Sequence, residues 1–217
     1  MKRMVLFFVL FVAVVFPGGG AASQPQAKES AADMAISVFA GNESLEEIIV
    51  KVVKAYQNKE EGILNDLIAK DFGIALLHRL GMFDIISIYD GIAFDDPALE
   101  YVLPYLGIDL EIDYKINFEE LPAFSCDEEG RVTWDKPPGI YCDTANIDRT
   151  RSTFAKKLDE AGIADWPAEE IKKLEEIEDK SHKVIVLGEG VFVFYVTLLE
   201  GKWHLTAIAK FEDCSGI

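Results

Sequence analysis

V-I-V-L-G-E-G-V-F-V-F-Y-V-T-L-L-E-G-K-W-H-L-T-A-I-A-K-F-E-D-C, residues 184–214, is the stretch whose reading decides the fold. Three apolar or alternating runs are separated by Gly188-Glu189-Gly190 and by Glu200-Gly201. Glycines supply the positive φ that tight hairpins require, so the stretch predicts an antiparallel meander of three strands. Strict alternation along the last strand puts Trp203, Leu205, Ala207, Ala209 and Phe211 on one face and Lys202, His204, Thr206 and Lys210 on the other. The apolar face is the one that can meet a helix, which leaves His204 outside.

The matching helix lies near the front of the chain. Ser44-Leu45-Glu46-Glu47 has the form of a capping box, and Leu45, Ile48, Ile49, Val52, Val53 and Tyr56 follow at the spacing of one helical face. An amphipathic helix over 45–57 is expected, with a second over about Glu60–Lys70 carried by Ile63, Leu64, Leu67 and Ile68. Gly73 and Gly81 bracket a run, 74–80, that suits either a strand or a helix; we read it as a strand with 82–89 as its hairpin partner. On that strand His78 shares a face with Ile74, Leu76 and Leu80. Burial there would shift its pKa, and with Asp84 as orienter it is the candidate general base of the chain. The competing reading is a core histidine satisfied by hydrogen bonding.

Ile108–Phe118 alternates Asp109, Glu111 and Asp113 with Ile108, Leu110, Ile112 and Tyr114, the pattern of a half-exposed strand. A straight strand cannot wrap a hard cation, which takes six to eight oxygens, so no metal site is assigned there or at Asn146-x-Asp148. Residues 121–144 read as a turn-rich excursion. Two short helices follow, one marked by Phe154 and Leu158 and ending near Ala161-Gly162, the other opened by Pro167 and carrying Ile171, Leu174 and Ile177.

At the N-terminus, Lys2 and Arg3 precede the apolar run 4–16, a glycine break and the small residues Ala21, Ala22 and Ser23. That is the pattern of a secretory signal with cleavage near Ser23 and no lipoprotein cysteine beside it. The expected organisation is a signal peptide over 1–23, a flexible leader over 24–41 and one domain over 42–217. The expected location is periplasmic or secreted, with no membrane association after signal removal. A net charge of −17 on 217 residues repels phosphate backbones and anionic lipids, which argues against nucleic acid as a partner. Export permits disulfides among Cys126, Cys142 and Cys214. Local spacing favours Cys126 with Cys142, a bridge worth about 3 kcal/mol in loop-closure entropy. None of the three has a histidine near it in sequence to act as a base.

The helix pair from Ser44, the hairpins and the ending Phe194-Tyr195-Val196…Gly201-Lys202-Trp203-His204-Leu205-Thr206 resemble nuclear transport factor 2-like domains. Asp71-Phe72-Gly73-Ile74, Arg79-x-Gly81 and Asp213-Cys214-Ser215 resemble exported bacterial members of that superfamily. The resemblance implies an α+β fold in which a curved antiparallel sheet wraps the N-terminal helices as a cone. It also implies a conical pocket and a bridge of Cys126 with Cys214, in competition with the local pairing. Some members use such a pocket for isomerase or dehydratase chemistry. Here the last strand brings no acid or base to its apolar face.

The expectation is therefore an exported noncatalytic module of the cell envelope, binding a small apolar ligand or a protein, without cofactor. Phe192, Phe194, Tyr195, Trp203 and Ala207 are the candidate pocket residues, although aromatics at strand spacing are more often core. The alternatives are a pocket enzyme using His78 with Asp84, and a structural homodimeric accessory of an envelope assembly.

Overall fold

The computed structural model describes residues 43–80, 83–104, 114–129, 131–145 and 148–210. They belong to a compact unit that spans Gly41–Ile217. The expected signal peptide and leader, together with Phe211 and Cys214, lie outside the described residues.

Helix α1 (Leu45–Gln57) starts where the sequence places it. The Glu47 amide donates to Ser44 Oγ at 3.2 Å, and the Ser44 amide donates to Glu47 Oε2 at 2.7 Å. These bonds satisfy two of the amides that a helix start leaves without partners. Ile48, Ile49, Val52 and Val53 are fully buried; each such side chain contributes about 1.5–3 kcal/mol relative to exposure. Helix α2 (Glu61–Asp66) is shorter than its apolar spacing suggests. The chain leaves the helix at Leu67, whose carbonyl is taken by the Leu205 amide at 3.0 Å. The start of β9, where β1 does not pair with it, has thus captured a group that a continuing helix would have used.

Strands β1 (Ile74–Leu80) and β2 (Phe83–Tyr89) form the expected hairpin. Gly73 precedes it with φ +66°, and a Cβ there would stand 2.4 Å from the Tyr89 carbonyl oxygen, so the position accepts only glycine without displacement. The segment that follows is tied to α2 by Asn65, whose side-chain amide donates to the Ile92 carbonyl at 3.0 Å and accepts from the Ile92 amide at 2.7 Å. Asp96 then caps the short helix α3 (Pro97–Glu100).

The strand expected over 108–118 is seen only as β3 (Ile116–Phe118), with 105–113 outside the described residues. The expected excursion over 121–144 contains three further strands: β4 (Phe124–Cys126) and β5 (Val132–Trp134) form a small hairpin, and β6 (Gly139–Cys142) joins the main sheet. β6 is short and buried on both faces, so it shows no alternation to read. Helices α4 (Thr150–Glu160) and α5 (Ala168–Glu178) lead into the meander β7 (Ser181–Leu187), β8 (Val191–Leu199) and β9 (Lys202–Lys210).

Among the described residues seven strands form one sheet in the order β2-β1-β9-β8-β7-β6-β3. It is mixed rather than wholly antiparallel, because β1 runs parallel to β9 and β3 parallel to β6. Both faces are covered. One carries Leu76, Val184, Phe192 and Phe194 against α1 and α2; the other carries Leu77, Ile185, Val193 and Tyr195 against Phe154, Leu158 and Leu174 of α4 and α5.

The face assignment along β9 needs correction. Tyr195 pairs with Ala207 but Val196 with Leu205, so Thr206 is an extra residue in a β-bulge. Before the bulge Trp203 and Leu205 face α1, as the alternation predicts. After it Ile208 takes that face, while Ala207 and Ala209 turn toward α4 and α5.

Candidate functional site

Among the described residues, two gatherings of polar side chains next to the sheet bear on function. The first lies between the sheet and α4–α5. Arg151 sits in the first turn of α4 at the spacing of the buried Phe154, Ala155 and Leu158 and is 1% exposed. Its Nη1 donates to Thr206 Oγ1 at 3.1 Å and its Nη2 to Ser181 Oγ at 2.7 Å. Thr197 Oγ1 lies 2.6 Å from Ser181 Oγ and 2.7 Å from Thr206 Oγ1, which closes a hydroxyl ladder across three strands. Glu178, also 1% exposed, accepts from the Ser152 amide at 3.1 Å. Its Oε1 stands 3.7 Å from Arg151 Nε, an ion pair too long to be a hydrogen bond. Arg151 Nε and Glu178 Oε2 are left with no hydrogen-bond partner among the described residues. Burial pushes the Arg151 pKa down, and Glu178 opposes that shift. The guanidinium also lies 4.9 Å from the centre of the Tyr195 ring. Every member faces the interior, so this assembly holds α4 and α5 to the sheet and offers no entry to a ligand.

The second place is the end of the β6–β7 pair. A cleft of about 650 Å³ opens there, lined by Glu119, Glu120, Asp143, Asp148 and Lys183 among others. Asp148 accepts from the Thr150 amide at the start of α4 (2.9 Å) and from the Tyr195 hydroxyl (3.2 Å), and Lys183 Nζ stands 3.4 Å from it. Burial pushes its carboxyl up, but Lys183 and the Thr150 bonds outweigh that and hold it below the usual range. Asp143 follows β6 directly. Its Oδ1 accepts from the Lys183 amide at 3.2 Å and stands 3.5 Å from His182 Nδ1, which is 3.0 Å from the Asp143 carbonyl oxygen. The bond to Asp143 raises the His182 pKa against the opposing effect of burial. Behind them Cys142 is fully buried and free, its thiol bonded to the Asp143 carbonyl at 3.4 Å and pushed up to about 12, first by burial and then by the Asp143 charge. A protonated thiol with no exposure is not a nucleophile at neutral pH.

The residues expected from the sequence fall elsewhere. His78 lies on the face of Ile74 and Leu76, with Nδ1 buried and unpartnered among the described residues; burial lowers its pKa. Asp84 does not orient it. The hairpin register sets Asp84 opposite Arg79 and His78 opposite Ile85, and Asp84 Oδ1 accepts from Arg79 Nε at 2.8 Å. Phe192, Phe194 and the partly buried Trp203 pack on the α1 side, with Phe192 stacked 4.0 Å from Tyr56, whereas Tyr195 and Ala207 belong to the α4 side. Split between opposite faces, these five do not line one pocket. His204 is half-buried near the start of β9, with Nδ1 3.2 Å from the Leu67 carbonyl oxygen. Because Cys142 is free, the local pairing with Cys126 is not formed; Cys214, the other expected partner, lies outside the described residues.

Arg151 and Glu178 left a readable signal, since each is a charged residue set on the apolar stripe of its helix. The grouping of Cys142 and Asp143 with His182 left none, because it arises from pairing strands that are distant in sequence. Comparison of the chain with protein-family models, with curated proteins and with solved structures found no match.

Proposed function

We propose that the protein is an exported noncatalytic binding module whose ligand is a small cationic molecule, such as an amine, held in the cleft beside β6 and β7. The observation that carries this reading is the composition of the cleft: its lining holds the carboxylates of Glu119, Glu120, Asp143 and Asp148 against the one ammonium of Lys183, already held by Asp148, while Lys136 reaches Glu119 from outside the lining at 3.7 Å. Four carboxylates around a concave surface focus a negative potential, and a chain with net charge −17 adds to it. The volume is in the range of small-molecule sites. The separation of the aromatic candidates between two faces weighs against the apolar ligand expected from the sequence.

A nuclear transport factor 2-like cone is supported by α1 lying on a sheet that ends in a three-stranded meander. The second helical layer, α4–α5, is a departure from that expectation. Against an enzyme using His78 stands the engagement of Asp84 by Arg79.

Native mass spectrometry of protein purified from its own host, followed by titration with mono- and diamines, tests the reading. A retained cationic species, or saturable amine binding weakened at least about tenfold in the Glu119→Gln/Glu120→Gln variant, is expected. A retained anionic or apolar species, or amine binding untouched by the double substitution, would refute it.

A further inference from the structure

The geometry points to a transition-metal site formed by Cys142 Sγ, an imidazole nitrogen of His182 and a carboxylate oxygen of Asp143, taking zinc or a similar borderline cation. Pairing of β6 with β7 brings the three together, and one ligand atom from each lies within 4.8 Å of the others. Bonds of about 2.0–2.3 Å to sulfur, nitrogen and oxygen in a tetrahedron put the donors about 3.4–3.6 Å apart. The 3.5 Å between His182 Nδ1 and Asp143 Oδ1 is already that separation, so closing the site requires only a small approach of the thiol.

The donor types select the metal class. Thiolate with imidazole and one carboxylate suits zinc, cobalt or nickel, and discriminates against calcium and magnesium, which seek oxygen alone. The surroundings are those of a built site. Asp143 is fixed by the Lys183 amide, His182 packs 5.8 Å from the Trp203 ring, and Cys142 is fully buried in the core. Asp143 also lines the cleft, the side from which an ion would enter; three protein donors leave the fourth position of a tetrahedron to water or a ligand. On binding, the thiol gives its proton to solvent and the sulfur forms a bond to the metal; no redox change is involved. The inference does not rest on the amine reading, since these donors converge whether or not the outer cleft holds a cation.

Cobalt(II) and zinc(II) are the probes, added to the full exported chain under non-reducing conditions. The expected result is one cobalt per chain with a thiolate-to-cobalt charge-transfer band, abolished by zinc and by Cys142→Ser. Loss of a direct donor should exceed the 10–100-fold seen when outer-shell partners are removed, so His182→Asn should weaken zinc binding by more than about 100-fold. Asp143→Asn keeps shape and volume; it should retain the band but weaken affinity by at least about tenfold, which serves if Cys142→Ser does not fold. Absence of uptake, a band that survives Cys142→Ser, or unchanged affinity in Asp143→Asn would overturn the site.

Discussion

Replacing Arg151 by methionine is the sharpest test of how the α4–α5 layer is held. The side chain is 1% exposed and donates to Thr206 Oγ1 and Ser181 Oγ, and its charge stands opposite Glu178, which is equally buried. Methionine preserves most of the aliphatic volume and leaves the Glu178 carboxylate in the interior without a counter-charge. Removing one partner of a buried pair costs about 3–5 kcal/mol. Two lost bonds from a charged donor, at about 1.5–3 kcal/mol each, give the same order. For a domain of this size that corresponds to a fall in Tm of roughly 6–20 °C. Adding Glu178→Leu removes the orphaned charge as well, so the double variant should recover most of the loss. Urea denaturation of wild type, both single variants and the double gives the coupling energy directly. A loss below about 1 kcal/mol for Arg151→Met, or a double variant as unstable as the sum of the singles, would show that the pair does not bind the layer.

Further outcomes follow from other positions. Gly73 and Gly162 both have φ +66°, but a Cβ at Gly162 meets nothing within 4 Å. Gly162→Ala should therefore cost about 1–2 kcal/mol, the left-handed penalty alone. Gly73→Ala should cost clearly more because of the Tyr89 carbonyl, and equal losses in thermal melts would contradict that. Cys142 should resist alkylation in the native protein and react in denaturant, while a non-reducing peptide map should join Cys126 to Cys214; a Cys126–Cys142 peptide would sink this pairing. Burial lowers the pKa of both His78 and His204. In the unfolded chain they bind protons more readily than in the folded one, so the stability they contribute is complete above about 6.5 and is lost as pH falls below it. Substituting His204 by Gln should flatten the decline in Tm on acidification, and an unaltered pH profile would speak against this origin.

Much of the architecture was legible because it rests on local signals. The capping box at Ser44, the stripe of α1, the glycine-bounded β1–β2 hairpin and the closing meander are each written in a few neighbouring residues. What escaped depends on partners far away in the chain. Gly139–Cys142 is a strand because β7 and β3 flank it, and nothing in four residues after two prolines, three of them buried, announces that. The α2 boundary is set by Leu205, well over a hundred residues downstream. His78 was read correctly as sharing the face of Ile74 and Leu76, yet a role in chemistry needed Asp84 beside it, and the register gave Asp84 to Arg79 instead. The polar cleft went unread because Glu119, Asp143 and Lys183 meet only through pairings of β3, β6 and β7.

Thr206 changes the reading frame of β9. Upstream of it, odd-numbered residues answer to α1; downstream, odd-numbered residues answer to α4 and α5. One strand thus carries two amphipathic codes joined at a single residue, and the two helical layers draw on separate parts of it. Flattening the bulge with Thr206 kept in the ladder would act as a frameshift in three dimensions. Ile208 would be driven against the layer that accepts only Ala207 and Ala209, and the alanines would leave a void under α1. Deleting Thr206 removes the extra residue itself, so Leu205 and Ala207 become neighbours in a regular ladder and every side chain keeps its face, with loss of the hydroxyl bonded to Arg151. Spacing and chemistry at this position are therefore separable: the bulge keeps the two cores in phase, and the hydroxyl keeps the buried arginine bonded.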